Sequence, residues 1–469
     1  KNRLREFLFA SSQQSCSEMR SNMINKLLIA NRGEIAVRII RACRELGIKT
    51  VAVYSQADAE SLHTQLADES ICIGKAPSQD SYLNMERILS ATIATGADAI
   101  HPGFGFLSEN SKFASLCEKC NITFVGPSSD IIAKMGNKSE ARNTMKAAGI
   151  PIVEGTDSPL YDALKAKEYA DAIGYPVMIK AALGGGGKGM RVVYEPDEFI
   201  ASFNNAQQET IKGFADNSMY IEKYIEHPRH VEFQILADNY GNVIHLGERD
   251  CSIQRRHQKM IEESPSIAID EKTRKAMGDM AVKAAKAVGY TNAGTVEFLL
   301  DKNNNFYFIE INTRIQVEHG VTELVTGIDL IKEQLRIASG NRLEYSQKDI
   351  QLRGHAIEVR INAENPDRNF APCPGNIDVL HIPGGNGVRI DTAVYTGYRI
   401  PPFYDSMILK VMAYDKDRKS AINKLRSVLG EIIIEGVTTN LDFQYDILNN
   451  NNFIEGRINT DFIKDNYGY

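Results

Sequence analysis

The chain has 469 residues, with 54 basic and 60 acidic side chains and a formal net charge of −6. This length predicts roughly two to four subdomains, because domains usually hold ~100–200 residues. There is no basic excess to indicate nucleic-acid binding, and no apolar run approaches the ~20 residues that cross a bilayer. Seven scattered cysteines favour a reducing, cytoplasmic location over a disulfide scaffold.

The N-terminal part of the chain alternates between short apolar strands and helices. KLLIA (26–30) predicts a strand, residues 35–46 have the apolar spacing of a helix, and KTVAVY (49–54) predicts the next strand. The alternation continues to about residue 125. It predicts an α/β domain over 23–136 that is built on a doubly wound parallel sheet.

A second domain is predicted over 137–340. A helical stretch at 128–148 leads into it, and two strands at 176–179 and 190–194 enclose a glycine-rich loop. Because this loop is the most flexible stretch of the pattern, we expect the unit around it, about 153–224, to be a mobile lid.

Strands dominate the rest of the second domain, and a mixed α/β domain is predicted over 353–467. The predicted strands lie at 231–236, 243–246, 294–300 and 306–311. Residues 1–22 lack hydrophobic periodicity and a long apolar segment, and we expect this leader to be disordered or non-native.

The glycine-rich loop carries four consecutive glycines, Gly184 to Gly187, between Lys180 and Lys188. Glycines let backbone N–H groups approach phosphate oxygens without a Cβ clash, and the lysines add positive charge. The order differs from the Walker pattern, and the setting between two strands suits a flap over a triphosphate. The alternative is a flexible linker.

A predicted hairpin carries paired carboxylates. Glu297 and Glu310 each lie between apolar residues on its two strands, and Asn312 follows the second strand. Buried carboxylates are costly unless they are paired or bind a cation, and these hard oxygen ligands suit Mg²⁺ or Mn²⁺. The alternative is a set of salt bridges on a solvated sheet face.

The segment EINTRIQVE (310–318) continues from this hairpin. If it stays extended, its polar residues share one face, because side chains alternate along a strand. That face adds Arg314, Gln316 and Glu318, a guanidinium for an oxyanion and a carboxylate that could act as a base. A half-buried amphipathic strand would show the same alternation, and a turn before Glu318 stays open.

A basic cluster lies in GERDCSIQRRHQK (247–259). Such a cluster alone is usually a solvated surface. It becomes chemically significant if it lies opposite the carboxylates of the 310–318 segment.

Together these segments resemble the biotin carboxylase branch of the ATP-grasp superfamily. The matching strings include LLIANRGEIAVRII, HPGFGFLSEN, HVEFQIL, RRHQK, NTRIQVEH, RGHAIEVRINAE and PPFYDSM, and they extend over nearly all of residues 23–469. RRHQK and NTRIQVEH are highly specific for this branch. The resemblance implies an ATP-grasp fold for 137–340, between the N- and C-terminal domains of a biotin carboxylase.

The resemblance also implies a reaction in which ATP and bicarbonate form carboxyphosphate, which delivers CO₂ to N1 of biotin. The residues it assigns to ATP are Lys138, Lys180, Gly186, Gly187, Glu222, Lys223, Tyr224, Ile225, His230, Gln254, His257, Glu297 and Glu310. It assigns two divalent ions to Glu297, Glu310 and Asn312, and bicarbonate to Lys259, Arg314, Gln316 and the backbone of Val317. Glu318 would remove the bicarbonate proton, and Arg360 would stabilise carboxyphosphate and the biotin enolate.

The partners implied by the family are a biotin carboxyl carrier protein, carboxyltransferase subunits and a second copy of the chain. Biotin is expected on the carrier and not on this chain. The NTRIQVEH and LGERD forms are more similar to the bacterial acetyl-CoA carboxylase subunit, which serves malonyl-CoA and fatty-acid synthesis, than to pyruvate carboxylase. A pyruvate or propionyl-CoA carboxylase subunit is the alternative.

Two further interpretations compete with this one. Another ATP-grasp ligase, such as a carbamoyl-phosphate or purine-pathway enzyme, would lack RRHQK. A catalytically silent nucleotide-binding scaffold would lack a base or metal ligand, whereas Glu297, Glu310, Arg314, Glu318 and Arg360 are all present. One departure from the family is Gly320, where Pro or Thr is usual, and it predicts a looser loop after Glu318.

Overall fold

A five-stranded parallel sheet forms the N-terminal part of the protein. The computed structural model of the protein describes residues 23–181, 190–214 and 217–469. The sheet order is β3-β2-β1-β4-β5, and the strands are β1 (Lys26–Ile29), β2 (Lys49–Ser55), β3 (Glu69–Gly74), β4 (Ala99–His101) and β5 (Thr123–Phe124). β1 is central and its apolar residues are buried, as expected for a parallel strand covered on both faces. The predicted doubly wound sheet is confirmed.

Four helices connect these strands and two more follow the last one. They are α1 (Gly33–Leu46), α2 (Leu62–Leu66), α3 (Met85–Thr95), α4 (Ser111–Lys119), α5 (Ser129–Gly136) and α6 (Lys138–Ala147). The helical stretch predicted over 128–148 is found as two helices, α5 and α6. Asn137 separates α5 from α6, and its side chain accepts a hydrogen bond from the Glu140 N–H, which caps the N-terminus of α6.

A three-stranded antiparallel sheet, ordered β7-β6-β8, corresponds to the predicted lid. Its strands are β6 (Val177–Ala181), β7 (Met190–Val193) and β8 (Met219–Lys223), and its helices are α7 (Ala163–Ile173) and α8 (Phe199–Phe214). Apolar residues of these elements form their own small core. The glycine-rich loop with Gly186 and Gly187 lies outside the described residues, but β6 and β7 pair on either side of it as predicted.

An eight-stranded antiparallel sheet, ordered β13-β12-β9-β10-β11-β14-β19-β18, makes up the centre of the protein. The strands of this half of the chain are β9 (Arg229–Ala237), β10 (Val243–Arg255), β11 (Gln258–Ser264), β12 (Asn292–Leu300), β13 (Phe306–Asn312), β14 (His355–Asn362), β15 (Glu364–Asn365), β16 (Ala371–Pro372), β17 (Val379–His381), β18 (Val388–Thr392), β19 (Met407–Asp415) and β20 (Ile433–Glu435). β11 and β14 pair directly, so strands from the two predicted ranges 137–340 and 353–467 share one sheet. A site on this sheet can therefore draw residues from both.

Helices pack against this sheet and enclose its apolar cores. They are α9 (Glu271–Ala287), α10 (His319–Thr326), α11 (Leu330–Ala338), α12 (Arg418–Glu431), α13 (Leu441–Asn449), α14 (Asn451–Ile454) and α15 (Phe462–Tyr467). Within the described residues, every helix is too short or too polar to cross a membrane.

Candidate active site

A cavity of about 1500 Å³ lies between the N-terminal part, the β6–β8 unit and the central sheet. Gly186 and Gly187 lie outside the described residues. All the other predicted site residues line the cavity: Lys138, Lys180, Glu222, Lys223, Tyr224, Ile225, His230, Gln254, His257, Lys259, Glu297, Glu310, Asn312, Arg314, Gln316, Val317, Glu318 and Arg360. Residues that are far apart in sequence therefore face one space.

The predicted basic cluster lies on the hairpin of β10 and β11, with Arg256 and His257 at its turn. Lys259 follows the turn and points at three carboxylates. Its Nζ lies 2.6 Å from Glu232 Oε2, 3.1 Å from Glu297 Oε1 and 2.7 Å from Glu318 Oε1. The basic cluster therefore lies opposite a carboxylate of the 310–318 segment, which is the arrangement that makes it chemically significant.

These contacts determine the charge state of Lys259. Burial alone would lower the pKa of its ammonium, but Glu232, Glu297 and Glu318 raise that pKa well above its ordinary value. Lys259 is therefore a permanent cation at the centre of a carboxylate cluster.

Glu318 is held by cations on both carboxylate oxygens. Arg360, on β14, places Nη2 2.9 Å from Glu318 Oε2, while Lys259 contacts Oε1. Arg360 also forms an ion pair with Glu262 on the neighbouring strand β11. Burial would raise the pKa of Glu318, but Lys259 and Arg360 lower it well below its usual range, so the carboxylate is ionised.

Glu297 and Glu310 lie directly opposite each other on the paired strands β12 and β13. The charge of Glu297 is compensated by ion pairs with Lys259 and His230, and His230 Nε2 lies 3.0 Å from Glu297 Oε2. The Asn312 side-chain amide also donates a hydrogen bond to Glu297 Oε1 at 2.8 Å. These cations hold the pKa of Glu297 below its ordinary value although burial alone would raise it.

Glu310 differs from its neighbour, because among the described residues no hydrogen bond or ion pair compensates its carboxylate. Burial and the adjacent charge of Glu297 raise the pKa of Glu310. A carboxylate in such a position gains from a bound cation. Glu297, Glu310 and the amide oxygen of Asn312 are thus a donor set that fits a hard divalent ion.

The backbone does not stay extended from Glu310 to Glu318. β13 ends at Asn312, the chain then turns, and Glu318 immediately precedes α10. The extended-strand prediction is therefore wrong beyond Asn312. The polar residues at 314–318 reach the cavity because the turn directs them there, and Ile315 packs into the apolar core.

Gly320 lies inside α10 and not in a loose loop. A Cβ at this position would lie only 2.3 Å from Met412 Sδ, so the absent side chain lets α10 pack closely on β19. The predicted loosening after Glu318 is wrong for this reason.

Arg314 extends from the turn toward the N-terminal part. Its Nε lies 2.9 Å from Glu109 Oε2, in the HPGFGFLSEN segment, and its Nη1 donates to Gln316 Oε1 at 2.8 Å. Burial would lower the pKa of Arg314, but Glu109 raises it. The guanidinium is therefore charged and lies beside Gln316.

The β6–β8 unit supplies the opposite wall. Lys180 on β6 forms an ion pair with Glu222 on β8, and Arg142 on α6 lies 3.5 Å from the same carboxylate. Lys138 is the first residue of α6, where the helix N-terminus adds positive potential. This wall carries the positive charge that phosphates require.

Sequence reasoning missed several residues of the site. Glu232 and Arg249 are fully buried and form an ion pair, Arg249 Nε at 2.6 Å from Glu232 Oε1, beside Lys259. Glu262 binds Arg360, and Glu109 binds Arg314. Glu232 had the same signal as Glu297, a carboxylate inside an apolar strand, and could have been found by it.

Three family models match the chain in succession. Residues 23–132 match the N-terminal domain of biotin carboxylase, 137–346 match the ATP-binding domain described for the carbamoyl-phosphate synthase L chain, and 358–465 match the C-terminal domain of biotin carboxylase. The two flanking matches separate the chain from the other ATP-grasp ligases considered above.

Curated relatives match nearly the whole chain. Biotin carboxylase 1 of Bacillus subtilis is 60% identical over 443 residues, which cover 94% of this chain and 98% of the relative. A pyruvate carboxylase subunit from Methanothermobacter thermautotrophicus is 55% identical over 441 residues, which cover 94% of this chain and 90% of that protein. A relative named only as a biotin carboxylase and a relative named as a pyruvate carboxylase subunit are therefore similarly close.

Solved structures share the fold. A biotin carboxylase complex from Campylobacter jejuni, described with β,γ-ATP, has a TM-score of 0.91 at 49% identity and covers 95% of this chain and 100% of that one. The biotin carboxylase domain dimer of Hydrogenobacter thermophilus 2-oxoglutarate carboxylase, with MgADP, ADP and bicarbonate, has a TM-score of 0.89 at 48% identity, over 94% and 98%. The chain belongs to the biotin carboxylase family and is an ATP-grasp ligase of that class.

Proposed function

We propose that this chain uses ATP and bicarbonate to carboxylate biotin held on a separate carrier protein, through carboxyphosphate. The observation that carries this proposal is the convergence of Lys259 and Arg360 on Glu318 within one cavity. Anionic intermediates need cations that are already in place, because such a site then needs no reorganisation as charge develops.

Bicarbonate is proposed to bind beside this cluster. Lys259, Arg314 and Gln316 offer donors, and the backbone of Val317 lies between Gln316 and Glu318 at the cavity wall. Glu318, ionised by its two cations, accepts the bicarbonate proton as the bicarbonate oxygen attacks the γ-phosphorus and ADP leaves. Once Glu318 is protonated, its ion pairs with Lys259 and Arg360 weaken, and both cations can then balance the charge of the carboxyphosphate.

Arg360 is proposed to act again in the second step, when the C–O bond of carboxyphosphate breaks to give CO₂ and phosphate, the phosphate takes the N1 proton of biotin, and N1 attacks the CO₂. Its guanidinium is shared between Glu262 and Glu318, so it is fixed in direction and permanently charged. A fixed cation at this position favours the biotin enolate over neutral biotin. Protonation of Glu318 in the first step would release part of Arg360 for this role.

ATP is proposed to lie between the β6–β8 unit and the central sheet. The proposed contacts are Lys138, Lys180, Gly186, Gly187, Glu222, Lys223, Tyr224, Ile225, His230, Gln254, His257, Glu297 and Glu310. Two Mg²⁺ or Mn²⁺ ions, held by Glu297, Glu310 and Asn312, would neutralise the phosphates. The β6–β8 unit, within 153–224, is proposed to close over the nucleotide and exclude water, since carboxyphosphate hydrolyses readily.

The proposed partners are a biotin carboxyl carrier protein, carboxyltransferase subunits and a second copy of the chain. The dimer proposal is supported by the dimer described for the Hydrogenobacter thermophilus relative. Scattered cysteines support a cytoplasmic location. We propose acetyl-CoA carboxylase as the complex served, on the NTRIQVEH and LGERD motifs, with pyruvate carboxylase as the second candidate because one of its subunits is a near relative.

The test measures the transfer of labelled carbon from bicarbonate to a biotinylated carrier and then identifies that carrier. The purified chain is incubated with ATP, Mg²⁺, labelled bicarbonate and the biotinylated proteins of its own cell extract, and the labelled carrier is identified. We expect label on one biotinylated carrier, and the acyl-CoA or keto acid that removes it identifies the complex. Absence of label from every biotinylated protein would contradict the proposal, and discharge by pyruvate alone would select the second candidate.

A further inference from the structure

Three charged residues form a row across the central sheet behind Glu318. Lys410 on β19 pairs directly with Arg360 on β14 and with Asp391 on β18. Directly paired residues project from the same face of a sheet, so the three side chains lie side by side. The Lys410 side chain is fully buried.

The first two members of the row hold consecutive residues of the turn before α10. Lys410 Nζ donates to the Val317 carbonyl oxygen at 2.7 Å, while Arg360 Nη2 contacts the Glu318 carboxylate at 2.9 Å. The Val317 carbonyl belongs to the peptide unit that joins Val317 to Glu318. Fixing this peptide plane limits ψ of Val317 and φ of Glu318, and therefore the direction in which the Glu318 side chain leaves the backbone.

Burial of an ammonium group is expensive, and an apolar side chain of similar volume would cost less at a purely structural position. Lys410 is balanced by Glu34, with Oε1 at 3.2 Å, and by Asp391, with Oδ2 at 3.7 Å. Burial would lower the pKa of Lys410, but Glu34, Glu358 and Asp391 raise it. These anions keep Lys410 charged. Among the described contacts, Lys410 makes one hydrogen bond to the turn, and its acceptor is the Val317 carbonyl oxygen.

We propose that Lys410 is a positioning residue that orients the Val317–Glu318 peptide so that Glu318 and the Val317 backbone meet bicarbonate together. This inference rests on the proposed function, because it assigns a purpose to Lys410 only if Glu318 is the base. It adds to the site a buried residue on β19 that acts through the backbone of the turn. Lys410 itself does not line the cavity.

Three variants distinguish positioning from a structural ion pair. Lys410→Met removes the hydrogen bond to Val317 and leaves Glu34 without its cation, whereas Asp391 keeps its ion pair with Arg389. Glu34→Gln, the matched control, removes the nearest anionic partner of Lys410 without touching the turn. The double variant removes one cation and one anion together, so the buried charge stays balanced while the hydrogen bond stays absent, and it should fold better than Lys410→Met.

Steady-state kinetics and thermal unfolding are measured on the full chain for all three. We expect Lys410→Met and the double variant to lose turnover or bicarbonate affinity by about tenfold to a hundredfold, the value of a hydrogen bond to a charged group. The KM for ATP should change little, and Glu34→Gln should keep normal kinetics at a lower Tm. Stability should recover in the double variant while activity does not.

The inference is overturned if activity recovers with stability in the double variant, or if Lys410→Met has the native bicarbonate KM and kcat. Failure of the proposed function has a different signature. In that case the native chain itself shows no bicarbonate-dependent ADP release, whereas an active native chain with an equally active double variant contradicts only the role of Lys410.

Discussion

The Lys259 ammonium lies 2.7 Å from Glu318 Oε1 and joins the hairpin of β10 and β11 to the turn before α10. This contact explains how a buried glutamate remains ionised in a site that must handle a proton. Displacement of Lys259 toward an incoming bicarbonate would weaken its hold on Glu318 and raise the proton affinity of the carboxylate at the moment when the bicarbonate is bound.

Glu318→Gln should abolish most of the turnover and leave ATP binding intact. General-base catalysis contributes about 10²–10⁴-fold, and glutamine retains the shape but accepts no proton. We expect a fall in kcat of this size, measured as ADP release, with an unchanged KM for ATP. Glu323→Gln, five residues further in α10 and paired with Arg38 and Arg389, is the control. It should lower Tm without slowing catalysis, and a Glu318→Gln variant with near-native kcat would remove Glu318 from the base role.

Glu310→Gln should weaken the use of metal without destabilising the protein. The native Glu310 carboxylate lies beside Glu297 and has no hydrogen bond or ion pair among the described residues, so its neutralisation removes a repulsion. We expect an equal or higher Tm in the absence of metal, together with a higher Mg²⁺ concentration for half-maximal activity.

Glu297→Gln is the contrasting variant for this test. Glu297 is bound by Lys259 and His230, so its neutralisation should lower Tm as well as activity. If Glu310→Gln lowered Tm as much as Glu297→Gln, the account of Glu310 as an uncompensated metal ligand would be wrong.

Glu263 should make the free energy of unfolding depend on pH over a defined acidic range. Burial would raise the pKa of this carboxyl group, but Arg418 and His355 lower it to about 2 from the ordinary 4.5. Because the folded-state pKa is depressed, the stabilisation is complete above pH 4.5 and is lost as the pH falls toward 2. The shift corresponds to about 3 kcal/mol, of which about 1 kcal/mol is lost by pH 4.

Urea unfolding of the native chain and Glu263→Gln at several pH values measures this effect. The difference in unfolding free energy should be constant from pH 7 to pH 5 and shrink below pH 4.5. Glu431→Gln, which removes an exposed pair with His381, should change the unfolding free energy by less than about 1 kcal/mol at any of these pH values. A difference that grows on acidification would contradict the sign argued here.

The sequence predicted the parallel sheet, the hairpin of Glu297 and Glu310 and the set of cavity residues, because each depends on a local pattern or a specific motif. It did not predict the turn after Asn312, since an alternating sequence is compatible with both a strand and a folded segment. The sequence also did not predict the ion pairs of Arg360 with Glu262 and Glu318, because these pairs form only when β14 lies next to β11 in the sheet. Lys410 is noticeable in the sequence as a lone cation in an apolar strand. Its role could not be predicted, because that role depends on the contact with Val317, which only the structure shows.

The most direct test of biotin carboxylation by this chain is ADP release from the purified protein with ATP and Mg²⁺, measured with bicarbonate and free biotin added separately and together. We predict that release depends on bicarbonate, that biotin stimulates it further, and that Glu318→Gln abolishes both effects. Release that is indifferent to both bicarbonate and biotin would contradict the account.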